Sequence, residues 1–207
     1  MSMLKRFVKK FIWIIRGGYK PQKFWEQWAE TFDDDPWQKE IHPQHTWLLK
    51  KIKESNPKSI LEIGCGFGRN IVFLLDQGIA PQKISGVDIS KKMIKHAATY
   101  IKNKKVELLS ANVLDLPFSD RAFDTTFAHG LFMHVQPKDV QQAIKETMRV
   151  TKNTIICVEQ NYLIDGDKSS DYTFLHNYKQ LFTKNGGIIK EYRSNKKLGL
   201  DYILITK

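Results

Sequence analysis

The stretch Ile60-Leu61-Glu62-Ile63-Gly64-Cys65-Gly66-Phe67-Gly68-Arg69-Asn70 carries the densest chemical pattern in the chain. A hydrophobic run enters Gly-x-Gly-x-Gly and leaves into helical periodicity. Glycines at such a bend allow positive φ and let a ligand lie against bare backbone, and the helix N-terminus behind them offers unpaired N–H groups. Twenty-four residues past Gly64, Asp88 stands in Gly86-Val87-Asp88-Ile89-Ser90. A carboxylate there can accept hydrogen bonds from both hydroxyls of a ribose. The pair points to a nucleoside but not to a dinucleotide, whose loops run Gly-x-Gly-x-x-Gly. Here the third glycine is Gly68 and position 69 is Arg69. Glu62, two residues before the first glycine, is ill placed beside a pyrophosphate and suits a ligand with an ammonium group.

Two imidazoles, His129 and His134, follow the fourth predicted strand. Imidazole accepts a proton near neutral pH, so both are candidate general bases. The plainer reading is that His129 shapes a pocket and His134 caps a turn. Their five-residue spacing disfavours a helical metal site. His42 and His45 have i, i+3 spacing but no clear third ligand, and are read as lid or surface residues. Cys65 and Cys157 lie far apart, without metal-ligand or disulfide-framework spacing. No metal is expected, and free thiols suit a reducing cytosol.

Positioning these groups falls to alternating β and α patterns. Strands are expected at Ser59–Ile63, Lys83–Asp88, Val106–Ser110, Phe123–His129, 154–159, 188–192 and Leu200–Thr206. Helices are expected at 69–77, 90–101 (capped by Ser90), 138–150 and 176–184. Such repeats imply an α/β fold: a Rossmann-like, mostly parallel sheet with helices on both faces and ligands at the strands' carboxyl ends. The short connection between the last two strands makes them an antiparallel pair. Residues 19–56 read as a helical lid, rich in aromatics and broken by Pro36 and Pro43.

At 207 residues and 42% hydrophobic content, the chain is long and apolar enough for one well-packed domain. Its net charge of +11 is unevenly spread. Seven basic residues and no acid precede Glu26; the remaining 26 Lys and Arg face 22 Asp and Glu. An evenly basic nucleic-acid-binding body is therefore not favoured. On a helical wheel, residues 3–16 segregate into an apolar face and a basic face, within an N-terminal helix spanning 1–18 that Gly17-Gly18 would end. Contact with an anionic membrane surface, packing against protein, and a presequence or nucleic-acid arm all remain open for it. The segment is too short to span a bilayer, so the chain is expected in the cytoplasm or peripherally on the membrane's inner face. The sequence carries no signal for an oligomeric state.

Taken together, Glu62 to Gly68, Gly86 to Ser90, Asn112-Val113-Leu114-Asp115-Leu116-Pro117-Phe118 and Phe123-Asp124 resemble a class I S-adenosylmethionine-dependent methyltransferase over about residues 24–207. The resemblance implies a catalytic domain at 57–207 with a seven-stranded sheet whose last strand is antiparallel, and S-adenosylmethionine as cofactor. It implies that Gly64, Cys65, Gly66 and Gly68 line the methionine portion, with Glu62 near the amino group. Asp88 would grip the ribose, Ile89 and Met93 the adenine. Asn112, where the family usually has Asp, and Val113 would meet the adenine edge. His134 and His129 become the catalytic candidates, His129 also touching the cofactor, and Phe32, Glu159, Tyr162 and His176 the substrate wall.

Weaker similarity to methyltransferases of bacterial surface-sugar biosynthesis, including pseudaminic acid pathways, implies a small-molecule, sugar or envelope-linked acceptor. The rivals are an RNA or protein methyltransferase, a non-catalytic cofactor- or partner-binding module, and an NAD-dependent oxidoreductase.

Overall fold

The computed structural model describes residues 18–102, 105–160 and 172–207. Short β-rich runs form the sheet: β1 (Ser59–Ile63), β2 (Lys83–Asp88), β3 (Val106–Ser110), β4 (Phe123–His129), β5 (Thr151–Gln160), β6 (Ile188–Asn195) and β7 (Leu200–Thr206). The helices are α1 (Pro21–Trp28), α2 (Pro36–Lys39), α3 (Pro43–Ser55), α4 (Arg69–Asp76), α5 (Lys91–Ile101), α6 (Val140–Val150) and α7 (Tyr178–Lys184). Strand order is β3-β2-β1-β4-β5-β7-β6. β1 to β5 pair in parallel, and β7 inserts antiparallel between β5 and β6. The expected seven-stranded sheet with an antiparallel last strand is what forms. Chain direction around the sheet reverses between β1 and β4, which opens a crevice at their carboxyl ends.

The period-2 alternation of β5 shows how the two faces fill. Ile156 and Val158 join a cluster with Ile60, Phe127, Trp47, Ile71 and Ala97, beneath α3, α4 and α5. Ile155 and Cys157 face the opposite way, with Ala143, Ile144, Phe182 and Ile203 beneath α6 and α7. Asp124 Oδ2 accepts from the backbone N–H of Lys58 (2.9 Å) and Ser59 (3.2 Å), fixing where β1 starts against β4. Ser90 caps α5 by accepting from Met93 N at 3.1 Å, as its position before the helix predicts.

The segment ahead of β1 divides into two parts. α3 packs on the sheet: Trp47, Leu48 and Ile52 are buried, and Trp47 lies edge-on to Tyr202 at 5.2 Å. Its Nε1 donates to Glu191 Oε1 (3.1 Å), and Lys51 pairs with Glu191 at 2.7 Å. Only its first turn, through Gln44, reaches the crevice, which is otherwise covered by residues up to Gln38. His42 and His45, expected at the surface or in a lid, are both buried. Each completes the other's turn: His42 N donates to His45 Nδ1 at 2.9 Å, starting α3.

Candidate active site

The strand ends border one cavity of about 560 Å³. Its floor is the loop between β1 and α4. Val87 O accepts from the N–H of Gly64 (2.8 Å) and of Cys65 (2.9 Å), so the loop is tied to the end of β2. Gly66 has φ +53°, and a Cβ there would meet nothing nearer than Phe32 at 3.9 Å. Its bare Cα therefore opens onto the cavity. Gly68 is different. At φ +91°, a Cβ would lie 2.6 Å from Ile101 Cδ1, so this glycine lets α4 approach α5. It does not line the cavity, whereas Gly64, Cys65 and Gly66 do.

Asp88 ends β2 at the cavity wall. Its Oδ2 accepts from Gly66 N (3.0 Å) and its Oδ1 from Ser90 N (2.9 Å), which fixes the carboxylate plane. Burial raises its pKa to about 6, against the opposing pull of those amides. Ile89, Met93, Asn112 and Val113 line the adjoining wall. Asn112 Oδ1 already accepts from Leu114 N at 3.0 Å, an Asx turn that orients the amide.

Glu62 lies one layer behind the wall and is fully buried. Asn70, which does line the cavity, donates from Nδ2 to Glu62 Oε1 at 2.6 Å. Glu62 Oε2 has no hydrogen-bond partner. Burial lifts this carboxyl to about 8. Asn70 Oδ1 in turn lies 3.2 Å from His129 Nδ1. An amide oxygen can only accept, so His129 donates from Nδ1 and Nε2 keeps the lone pair. Burial and the neighbouring His45 and Arg69 hold His129 neutral.

The other end of the cavity is aromatic. Trp25 and Trp28 of α1 stack at 5.5 Å, and Phe32 meets both edge-on. His134 stands 4.9 Å from Trp25 and 5.7 Å from Tyr172. Its Nδ1 donates to Tyr172 O at 2.8 Å, leaving the lone pair on Nε2. Burial brings its pKa down to about 4, so it is an uncharged proton acceptor at neutral pH. α1 is held over this end by Glu26, whose Oε1 accepts from Lys91 N (2.6 Å), and by the Glu30–Lys92 ion pair.

Two expected wall residues sit elsewhere. Glu159 is turned away from the cavity by strand alternation, and its neighbours Val158 and Gln160 line it instead. The buried Glu159 carboxylate accepts from Leu131 N and Met133 N, each at 3.1 Å, and so braces the loop that carries His134. His176 is buried outside the cavity, 3.0 Å from Val135 O through Nε2. Tyr162 lies outside the described residues. Sequence reasoning passed over Asn70, Gln44 and Tyr172, which do line the cavity. Only Asn70, adjacent to the glycine motif, had a local signal. Among the described residues no group of three His, Cys, Asp or Glu could hold a metal ion, and no helix is long and apolar enough to cross a membrane.

The fold is that of the class I S-adenosylmethionine-dependent methyltransferases, and residues 60–154 match the family model described as a methyltransferase domain. Demethylmenaquinone methyltransferase of Lactococcus lactis is 31% identical over 121 residues, 55% of this chain and 46% of that protein. The chain spans about half the length of the curated relatives it matches. Magnesium protoporphyrin IX methyltransferase from Synechocystis PCC 6803, solved with bound S-adenosylhomocysteine, superposes with a TM-score of 0.69 at 12% identity, covering 89% of this chain and 99% of that one. A SAM-dependent methyltransferase from Aquifex aeolicus gives 0.66 at 18% identity, covering 91% and 98%. The residues fit an adenosyl thioether with an amino-acid head: Gly66 opens onto the cavity, Asp88 is fixed at its wall, and the buried Glu62 Oε2 lacks a partner.

Proposed function

We propose that this chain transfers a methyl group from S-adenosylmethionine to a small acceptor held against the aromatic end of the cavity. One observation carries the reading: a single cavity joins the Gly64–Gly66 loop and Asp88 at one end to His134, Trp25 and Tyr172 at the other. Gly64 and Gly66 would bear the methionine portion, Asp88 the ribose diol, and Ile89, Met93, Asn112 and Val113 the adenine. When bound, the cofactor supplies an electrophilic methyl group on a cationic sulfur. The protein's tasks are alignment, exclusion of water and acceptance of the acceptor's proton. His134 Nε2 takes that proton, and Glu159 keeps the His134 loop in place.

Aromatic walls with a few polar groups (Gln136, Gln160, Thr173) suit a compact acceptor with apolar surface and one reacting hydroxyl or amine. Names among the relatives, which include methyltransferases of demethylmenaquinone and magnesium protoporphyrin IX, agree with a small acceptor. The test is calorimetric titration with S-adenosylhomocysteine, then methyl transfer from labelled cofactor into small-molecule extracts. Binding with transfer supports the reading; binding without transfer to any small molecule would leave a cofactor-binding module.

A membrane-facing role rests on the sequence of residues 3–16, which lie outside the described residues. Their segregated cations and apolar face suit an anionic lipid surface, and an envelope-linked acceptor would then be within reach. Deleting residues 1–18 should abolish sedimentation with phosphatidylglycerol vesicles and leave cofactor affinity unchanged. Persistent sedimentation would assign the contact to another segment.

A further inference from the structure

Asp139 stands just ahead of α6, half-buried, and lines the cavity. An acid in that position ordinarily accepts from the first free N–H groups of the helix. This one does not: its backbone is already helical, at φ −107° and ψ −19°, and its side chain caps nothing. No described residue donates to its carboxylate or pairs with it. The other two carboxylates lining the cavity among the described residues are engaged. Asp88 accepts from the N–H of Gly66 and Ser90, and Asp35 from that of Trp37 at 3.0 Å.

Backbone and side-chain bonds join Asp139 to the aromatic end. Asp139 N donates to Gln136 O at 2.9 Å, and Gln136 Nε2 donates to Tyr19 O at 2.8 Å. The Tyr19 hydroxyl oxygen accepts from Trp25 Nε1 at 3.0 Å, and Trp25 stacks on Trp28. An unengaged carboxylate and a wall of rings therefore border the same space. Ring faces attract cations, and a partly desolvated carboxylate is costly unless a cation pairs with it. Among the described residues the cavity lining holds a single Lys or Arg. That residue, Arg69, opens α4 after the glycine loop and donates from Nη1 to Trp37 O at 3.0 Å. A carboxylate, phosphate or sulfate on the acceptor would thus meet like charge at Asp139, and repulsion of that kind confers specificity as much as attraction does.

We infer that Asp139 anchors a positively charged group on the acceptor, so that the cavity selects small ammonium-bearing compounds over carboxylates and phosphates. The inference rests on the methyltransferase reading and adds the charge of the acceptor. The anchored ammonium is not the atom methylated, because a protonated nitrogen has no lone pair with which to attack. The reacting hydroxyl or second amine is the group that yields its proton to His134. Sugar acids and nucleotide-linked sugars fall outside the class that such a site favours.

The test is calorimetric titration of the full chain, saturated with S-adenosylhomocysteine, with three probes of one shape. Tyramine, 4-hydroxyphenethyl alcohol and 4-hydroxyphenylacetate carry an ammonium, a neutral hydroxyl and a carboxylate on the same ring. The expected order is amine, alcohol, acid, with the amine bound about tenfold or more tighter than the alcohol. Asp139→Asn keeps the size of the side chain. It should weaken the amine by about tenfold, change the alcohol by no more than about twofold, strengthen the acid and leave S-adenosylhomocysteine affinity unchanged. Alcohol or acid bound as tightly as the amine would overturn the inference, and so would no binding of any of the three. An equal shift for all three in Asp139→Asn would reduce the acid to a complement of the α6 dipole and overturn it as well. Weaker S-adenosylhomocysteine binding in the variant would move Asp139 to the cofactor end, against the inference. If wild-type protein bound no S-adenosylhomocysteine, the methyltransferase reading itself would fail and the inference with it, whereas binding of that compound without preference for the amine would sink the inference alone.

Discussion

The two ends of the cavity are built from different materials. The end assigned above to the cofactor is largely backbone and strand termini: the loop of Gly64, Cys65 and Gly66, the carboxylate of Asp88, and walls from the residues that follow β2 and β3. Its geometry is fixed by the sheet. The end assigned to the acceptor is drawn from separate segments: α1, the loop after β4, residues 172–173, and Leu198 and Leu200. No two of these segments are sequence neighbours. A sheet can hold an invariant ligand at its edge, whereas a wall of separate segments can change shape without disturbing the sheet. On the proposed function, this division separates the constant half of a transfer reaction from the variable half.

The brace behind the acceptor end should give the largest effect. Glu159→Leu removes a carboxylate that accepts from two backbone N–H groups, leaving both donors without a partner beside a buried loop. A loss of about 3 kcal/mol is expected, read by urea denaturation, and cofactor binding should persist in the folded fraction. Stability within about 0.5 kcal/mol of wild type would show that the loop stands without this brace. Next, His134→Phe keeps a ring against Trp25 and Tyr172 but removes the lone pair. Turnover should fall by about 100-fold with S-adenosylhomocysteine affinity intact. Full turnover would mean that the acceptor loses its proton to water or elsewhere, and the two ends would then differ in shape but not in chemistry.

Legibility follows the same divide. β1 to β4 and β7 fall at the expected residues because each is a short apolar run bounded by turn residues, and Asp88 was readable because its distance from Gly64 is set by one β-α-β unit. β5 is longer at both ends than its apolar centre suggests: Thr151 to Asn153 and Gln160 extend it by pairing with β4 and β7, which is a tertiary effect. Gly68 was grouped with the ligand-lining glycines because the motif repeats evenly, but its bare Cα serves the contact with Ile101. Glu159 and Gln160 show the limit most clearly. The alternation predicts that only one of them faces the cavity, and the sequence does not say which. Tyr172 reaches His134 from 38 residues away, with nothing local to mark it.

On the cofactor side, Asp88→Ala should weaken S-adenosylhomocysteine binding by roughly 10–100-fold, the loss of two charge-assisted hydrogen bonds to a diol. The 2′-deoxy form of the ligand should distinguish wild type from variant far less. Equal discrimination by both proteins would detach Asp88 from the ribose, and the end of the cavity fixed by the sheet would lose its main polar contact.

The smallest expected effect is a proton count. Ligand-free Glu62 has its pKa raised from 4.5 to about 8 by burial. Because the folded value lies above the unfolded one, the group contributes stability at low pH that is lost as pH rises through about 8. At pH 7 it is mostly protonated, while Asp88, at about 6, is mostly ionised. An ammonium arriving beside Glu62 favours the carboxylate. Binding of S-adenosylhomocysteine at pH 7 should therefore release up to one proton, seen as a difference in apparent binding enthalpy between phosphate and Tris buffers. Glu62→Gln should abolish that difference, and raising the pH to 9 should shrink it in wild type because the proton has already left. 5′-Methylthioadenosine, with no ammonium, should release none. A buffer-independent enthalpy for S-adenosylhomocysteine would mean that Glu62 stays protonated in the complex, and its role at the cofactor end would then be to hold Asn70 and, through it, His129.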